Sequence, residues 1–397
     1  MAGSNGRFEQ NNSSNNNTGH TAQSPGISQL TARRFPIFDA HCDMLTEFGA
    51  HGQTLYDAPT HFNVKKQLAY GQYLQIADIW VDSAKHDVDG RVGKYIDEFY
   101  SQLDILKKAG SAGTAEYPEG FDVTLIRSSE ELKEFYEGTD GRVIAKTAAK
   151  KPKAGFILGI EGGECIDGDA ASFYGRETCA GQFCILKKLY RLGVRLITIT
   201  WNTPNKMSDT NIAANPTPGL TEFGRAAIKE MNRLGIMIDL SHISDAGFRD
   251  VIELSGKPVI ASHSDSRTLC SHPRNLTDDM FKALVKKGGV AGINFCTGFL
   301  GGSKDLAQII RHIEHFASLG GIKNIGLGSD FDGISELPGG IEGAQSMYKI
   351  IDALLKLNYT EEQAEGIASG NFRRVFEEVL PPVEMLKSGK TLPPEEA

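Results

Sequence analysis

"MNRLGIMIDLSH", Met231 to His242, carries a whole structural unit. It opens on the end of the amphipathic pattern "EFGRAAIKEMNRLG", which Gly235 stops, because a glycine past a helix end takes the left-handed conformation. An apolar run without polar alternation follows, as expected of a parallel strand covered on both faces. The run ends on a histidine. Gly193 in "YRLGVR" and Gly320 in "ASLGGI" repeat the helix stop, each just before another apolar run.

Outward from this unit the rhythm extends over most of the chain. "PIFDAH", "YLQIADIWV", "AGFILGIEG", "VRLITITW", "IMIDLSH", "PVIASHS", "GVAGINF" and "NIGLGSD" all read as buried strands. Helical patterns such as "DLAQIIRHIEHFASLG" lie between most of them, and Ser128–Glu131 and Thr360–Gln363 fit capping boxes at helix starts. Eight strands alternating with helices predict a (β/α)8 TIM barrel, with a doubly wound open sheet as the competing arrangement. The stretch from about 82 to 150 exceeds one crossover and predicts a helical insertion between strands 2 and 3. Residues 1–34, rich in Asn and Ser, read as a disordered arm or a non-native extension. The barrel then occupies 35–385 and a flexible tail 386–397.

At 397 residues, 40% hydrophobic and 23% charged, the composition is that of a globular protein. The net charge of −8 argues against a nucleic-acid or anionic-membrane partner. No apolar stretch approaches the roughly 20 residues that span a bilayer, and neither an export core nor an anchor tail stands out. The six cysteines, 42, 165, 179, 184, 270 and 296, form no CxxC pair. Free thiols and a cytoplasmic location are the expectation.

Residues able to bind a metal recur at strand ends: His41, Asp43, Glu161, His242, His263 and Asp330. In a barrel those ends converge on one face. His41 and Asp43, two apart on an extended strand, point the same way, while Cys42 points away as a packing thiol. The mixed nitrogen and oxygen set suits zinc or a similar divalent ion. His41, Asp43, Glu161, His242 and His263, five in number, exceed one structural site. Glu161, in "GIEGG", is the natural bridge between two ions roughly 3.5–4 Å apart, with a water between them acidified toward hydroxide. Asp330 can relay a proton from the opposite wall. Arg274, in "CSHPRN", suits a two-pronged grip on a carboxylate. Taken singly, each residue also has a structural explanation. A lone histidine at a strand end is usually structural, and "DAH" or "GSDFDG" fits a turn. Asp332 reads as such a turn residue and His272 as structural. His312 and His315 read as a solvated helix face, and His51, His61 and His86 receive no role.

Together the motifs "FDAHCD", "GIEGGECID", "LGVRLITITWN", "MNRLGIMIDLSHIS", "PVIASHSDSR…SHPRN" and "NIGLGSDFDG" resemble the membrane (renal) dipeptidase family, peptidase family M19 of the amidohydrolase superfamily. The resemblance spans about residues 35–380. It implies a TIM-barrel zinc hydrolase, a homodimer, acting on dipeptides and often tolerating a D-residue at the C-terminal position. It further implies that His41, Asp43 and bridging Glu161 hold one Zn2+ and that Glu161, His242 and His263 hold the other. Asp330 then shuttles the proton and Arg274 clamps the carboxylate of a small dipeptide-like substrate. One departure concerns the loop after strand four, where well-known members carry a histidine. Here "TWNTPNKMSD" offers Trp201, Asn202 and Asn205, whose amides are candidate substrate contacts at a developing oxyanion. A deacylase or lactonase on the same centre and a non-catalytic binding barrel are the alternatives. The last would be marked by a broken ligand set.

Overall fold

The computed structural model describes residues 35–51, 54–82, 88–117, 119–137, 151–167, 183–212 and 219–387. The expected arm, 1–34, and nearly all of the expected tail lie outside these residues, as does His86. Nine strands run through the rest: β1 Ile37–Asp39, β2 Gln72–Trp80, β3 Asp122–Leu125, β4 Lys153–Glu161, β5 Val194–Thr198, β6 Met237–Asp239, β7 Ile260–Ala261, β8 Val290–Ile293 and β9 Ile325–Leu327. Every pairing is parallel. The order β2-β1-β9-β8-β7-β6-β5-β4 closes on itself through β2 and β4, giving an eight-stranded barrel. All eight expected strands belong to it.

The remaining strand, β3, pairs with the first half of β4 and stays outside the ring. It sits in the expected insertion, between helix α1 (Val88–Ala112) and helix α2 (Ser129–Tyr136). The insertion is therefore helical with one short strand. "DVTL" is too short, and too exposed at Asp122, to read as a buried run.

The barrel's inside follows from period-two alternation. Phe38, Leu74, Ile76, Ile157, Leu196, Met237, Ile260 and Val290 form one apolar cluster, while Ile37, Tyr73, Ala77, Ile79, Phe156, Leu158 and Ile160 belong to the cluster facing the helices. A helix α5 (Asn371–Val379) packs under the inner cluster, with the Phe372 and Phe376 rings 5.5 and 5.1 Å from that of Phe38. Two residues further along the same inward faces the chemistry changes. Asp78 follows Ile76, Glu161 lies four after Ile157, and Asp239 follows Met237, all buried. Gly159 makes room in this polar layer, since a Cβ there would lie 2.1 Å from Asp78 Oδ1.

Local signals hold at most of the expected sites. Helix α3 (Glu222–Leu234) starts with the Thr221 side chain accepting from the Gly224 N–H and ends at Gly235 with φ 74°. Gly193 and Gly320 also have positive φ. The Thr360–Gln363 capping box is complete. At Ser128 only half a box forms, because the Glu131 carboxylate takes the Arg127 N–H at 2.6 Å instead.

Two expectations need correction. Helix α4 (Leu306–Ser318) does not present His312 to solvent. His312 is fully buried, with Nδ1 accepting from the Ser266 N–H at 3.0 Å and Nε2 donating to the Leu300 carbonyl at 3.0 Å. His315, partly buried, pairs with Asp278 at 2.8 Å. Cys184 is disulfide-bonded, whereas Cys42, Cys270 and Cys296 are free. The free-thiol reading, one support of the expected location, therefore does not hold for the whole chain. Among the described residues no helix is long and apolar enough to cross a membrane.

Candidate metal centre

The carboxyl ends of the strands open into a cavity of about 430 Å³. Asp43, Glu161, His242, Arg274 and Asp330 line it, with Asn202, Trp80 and Trp201. His41 and His263 lie just beneath, 0% and 1% exposed.

Three histidines converge on one oxygen. Glu161 Oε1 lies 2.9 Å from His242 Nε2, 3.3 Å from His263 Nε2 and 3.7 Å from His41 Nε2. The other ring nitrogen of His242 and of His263 is tied to an acceptor, which fixes where the proton sits, and that of His41 stands beside a carboxylate. His41 Nδ1 lies 3.0 Å from Asp78 Oδ2. His242 Nδ1 lies 2.9 Å from Asn202 Oδ1. Ser262 Oγ has one proton, given to Asp239 Oδ2 at 2.6 Å, so it accepts from His263 Nδ1 at 2.7 Å. Nδ1 of His242 and of His263 therefore carries the proton, and their Nε2 atoms turn lone pairs toward Glu161 Oε1.

Acceptors facing acceptors in a buried space repel one another unless a cation lies between them. His242 Nε2 and His263 Nε2 are only 3.1 Å apart. His41 Nε2 also lies 3.7 Å from Asp43 Oδ2 and 3.9 Å from Asp330 Oδ1. Atoms bound tetrahedrally to zinc at about 2.0–2.1 Å stand roughly 3.4 Å apart, so this spacing suits a metal. His41, Glu161 and His263 form one buried group able to hold an ion, and His41, Asp43 and Asp330 form another. The structure thus brings together all five expected metal-binding side chains and adds Asp330. It also draws His41 into both groups, where the resemblance implied sharing by Glu161.

The electrostatics point the same way. Burial alone would lower His41, but Asp78 and Glu161 hold it well above the ordinary histidine range. Burial, Arg274 and His41 push His242 well below that range, and burial, His41 and Arg274 do the same to His263. Burial and neighbouring Asp43 raise Glu161 well above the usual carboxylate range. The cluster therefore attracts positive charge at one point and keeps two imidazoles neutral, as metal binding requires.

The backbone is shaped for this. His242 and Asp330 take left-handed φ of 69° and 61°, a conformation uncommon for non-glycine residues and one that His and Asp adopt more readily than most. Glycine beside Glu161 allows close packing, since a Cβ on Gly163 would lie 1.9 Å from Met207 Cε. His41 and Asp43 lie beyond the last residue of β1 rather than on it, yet their side chains meet. Cys42 is fully buried with its thiol toward Asp332, as expected of a packing thiol. Asp332 does more than make a turn. Its carboxylate accepts the N–H of His61 at 2.6 Å and of Phe62 at 3.3 Å, and burial raises it to about 7.

Arg274 is 3% exposed. It donates to the His263 carbonyl at 3.1 Å and to Ser264 Oγ at 3.3 Å, and its Nε has no partner. Among the described residues no carboxylate lies within ion-pair distance of it. Burial lowers its pKa, while Asp330, Glu161, Asp239 and Asp265 act on it from beyond direct contact, and a buried guanidinium with no directly paired carboxylate suits a site that receives an anionic group. Asn205 is a correction. Its amide donates to the Ile199 carbonyl and accepts the N–H groups of Met207 and Ser208, so it braces its own loop and does not line the cavity. Asn202 does line it, with its carbonyl turned to His242.

Sequence reading missed Asp78, Asp239 and Ser262, which orient the histidines. A charge inside an apolar run, as in "LQIADIW" and "IMIDLSH", was the available signal.

The sequence profile of a family described as membrane dipeptidase (peptidase family M19) matches residues 27–387. Among solved structures, the chain is similar to a dipeptidase AC, a metallopeptidase of family M19. That match has 24% identity and a TM-score of 0.67, covering 87% of this chain and 99% of that one. A metallopeptidase from Rhodobacter sphaeroides, solved with a phosphinate mimic of the dipeptide L-Ala-D-Ala, matches at 23% identity and TM-score 0.67, with coverage of 87% and 99%. The probable dipeptidase PvdM from Pseudomonas aeruginosa matches at 19% identity and TM-score 0.65, with coverage of 89% and 97%. At these identities the likeness bears on the fold, and it agrees with the barrel.

Proposed function

The chain belongs to the membrane dipeptidase family, peptidase family M19, and from that premise we propose that it hydrolyses dipeptides with two zinc ions held around Glu161. It is a metallo-dipeptidase hydrolase with a buried His/Glu/Asp metal site. The observation that carries the proposal is that the donor cluster and an unpaired buried arginine face one cavity. His41, Asp43, Glu161, His242 and His263 would hold the ions. The ions, when bound, polarise the peptide carbonyl and acidify water at the site.

The chain's own residues supply the rest. Arg274 grips the free carboxylate of the second residue, which favours dipeptides over longer chains. Asp330 holds and returns the proton. Burial raises its carboxyl to about 6, with Asp43 adding to the rise and His41 and the Asn294 amide opposing it. A carboxyl in that range accepts a proton from attacking water and gives it to the departing amine near neutral pH. Asn294 Nδ2 donates to Asp330 Oδ2 at 3.0 Å and fixes the carboxylate's orientation. Asp78, Asn202 and the Asp239–Ser262 pair keep the three imidazoles oriented. The ligand of the R. sphaeroides relative supports extending the proposal to substrates with a D-residue in second place. The family resemblance extends it to a homodimer, which sedimentation velocity tests.

The deciding experiment is metal analysis of purified protein with assays of dipeptides, N-acyl amino acids and lactones, on chelated and zinc-restored samples. The proposal expects dipeptide turnover that disappears with chelation and returns with zinc. Turnover of the acyl compounds alone, with metal loaded, contradicts it.

A further inference from the structure

The chain has two tryptophans, and both stand in the wall of the cavity. Trp80 ends β2, on the inward face that also carries Asp78, and Trp201 follows β5. Their rings lie 4.8 Å apart at 58°. Trp80 is held in place, because Thr46 Oγ1 accepts its N–H at 3.0 Å and donates to its carbonyl at 2.8 Å. Its indole N–H is buried without a partner. Arg274 comes from the loop after β7, and in the closed ring β7 lies four strands from β2 in either direction. Arg274 and Trp80 therefore occupy opposite walls, with Trp201 after β5 midway round the ring between them and Glu161 at the end of β4, between the two tryptophans.

We propose that Trp80 and Trp201 form the subsite for the side chain of the substrate's first residue, and that the enzyme favours dipeptides beginning with a large apolar residue. This rests on the dipeptidase reading above. A dipeptide held by its carboxylate at Arg274, with its peptide carbonyl over the metal cluster, directs its first residue away from Arg274, toward Trp80 and the Trp201 ring beside it. Two indoles there offer broad apolar contact at little entropic cost. Two nearby carboxylates are committed elsewhere, Asp332 to backbone N–H groups and Glu336 to Thr297 and Lys304; Glu47 also lines the cavity, so a lysine substrate is included in the test.

The test uses the full, zinc-loaded chain. One arm measures kcat/KM for X-D-Ala with X as Gly, Ala, Leu, Phe and Lys. The other follows tryptophan emission on adding phosphinate mimics of Gly-D-Ala and Phe-D-Ala, since every indole in the chain is in this wall. The expected result is a Phe-over-Gly preference of about 10- to 100-fold in both arms. Trp201→Ala should collapse it to below about threefold, and Trp201→Phe should retain most of it. A flat series, a preference for Lys, or a ratio unchanged in Trp201→Ala overturns the subsite and leaves the dipeptidase reading standing. If no dipeptide is cleaved but the Phe mimic still binds more tightly and shifts emission, the subsite stands and dipeptide hydrolysis falls. Absence of both turnover and emission change removes both.

Discussion

The two ends of the barrel are built from the same strands and do opposite things. At the amino end the inward positions are apolar, Phe38, Leu74, Ile157 and Met237, and α5 covers them with Phe372 and Phe376. At the carboxyl end the same faces carry Asp78, Glu161 and Asp239, and the added loops bring His41, His242 and His263. The lower layer gains stability from burial. The upper layer gathers buried acceptors, which cost stability unless a cation joins them. Stability and chemistry are therefore separated by two to four residues along these strands. Changes below should unfold the protein without touching the chemistry, and changes above should do the reverse.

The largest effect is expected above. Asp330→Asn keeps the shape and the Asn294 neighbour but cannot take a proton, so kcat should fall by about 10²- to 10⁴-fold with metal content nearly intact. Turnover within a few-fold of normal would remove the proton role. Below, Phe376→Ala opens a hole beneath the inner cluster and should cost about 3–5 kcal/mol in denaturant titration. Bound zinc per folded chain should stay the same. Loss of metal before unfolding would mean the two layers are not separable in this way.

Smaller effects sharpen the boundary. Ser262→Ala cuts the link from His263 Nδ1 to Asp239, so zinc affinity in chelator competition should weaken by about 10- to 100-fold while the melting temperature of the metal-free protein barely moves. An unchanged affinity would make the serine mere packing. His312, outside both layers, offers a pH test. Burial lowers it to about 4, below its ordinary 6.5, so the unfolded chain binds its proton first as pH falls. Its contribution is complete above about pH 6.5 and drains away toward pH 4, about 2 kcal/mol of it between pH 7 and pH 5. Denaturant midpoints at those two pH values should show a smaller drop for His312→Gln. Equal drops would place the titration elsewhere.

The contrast also explains what the sequence disclosed. Parallel strands buried on both sides are uninterrupted apolar runs, so "AGFILGIEG" and "NIGLGSD" could be recognised without partners. Donors were visible because they follow those runs directly. Asp78 and Asp239 were harder to see, because a carboxylate within an apolar run gains meaning only when a neighbouring strand supplies the histidine. The left-handed backbone at His242 and Asp330 left no mark, since neither position is glycine. His312 was misread because a helix's apolar stripe does not show what the adjoining loop will cover, and here the Ser266 N–H covers it. Asn205 failed as a substrate contact because its amide closes its own turn, a local bond that competes with outward reach. Strand β3 escaped because four residues with an exposed first position carry little periodic signal.

The central claim is that three imidazole nitrogens and one carboxylate oxygen face each other because metal belongs between them. Zinc content per chain, measured by mass spectrometry on wild type and Glu161→Gln after identical zinc loading and desalting, tests it most directly. The account predicts about two ions in the wild type and loss of most of them in the variant, with the fold preserved by circular dichroism. A folded Glu161→Gln chain that keeps its full zinc content would contradict it.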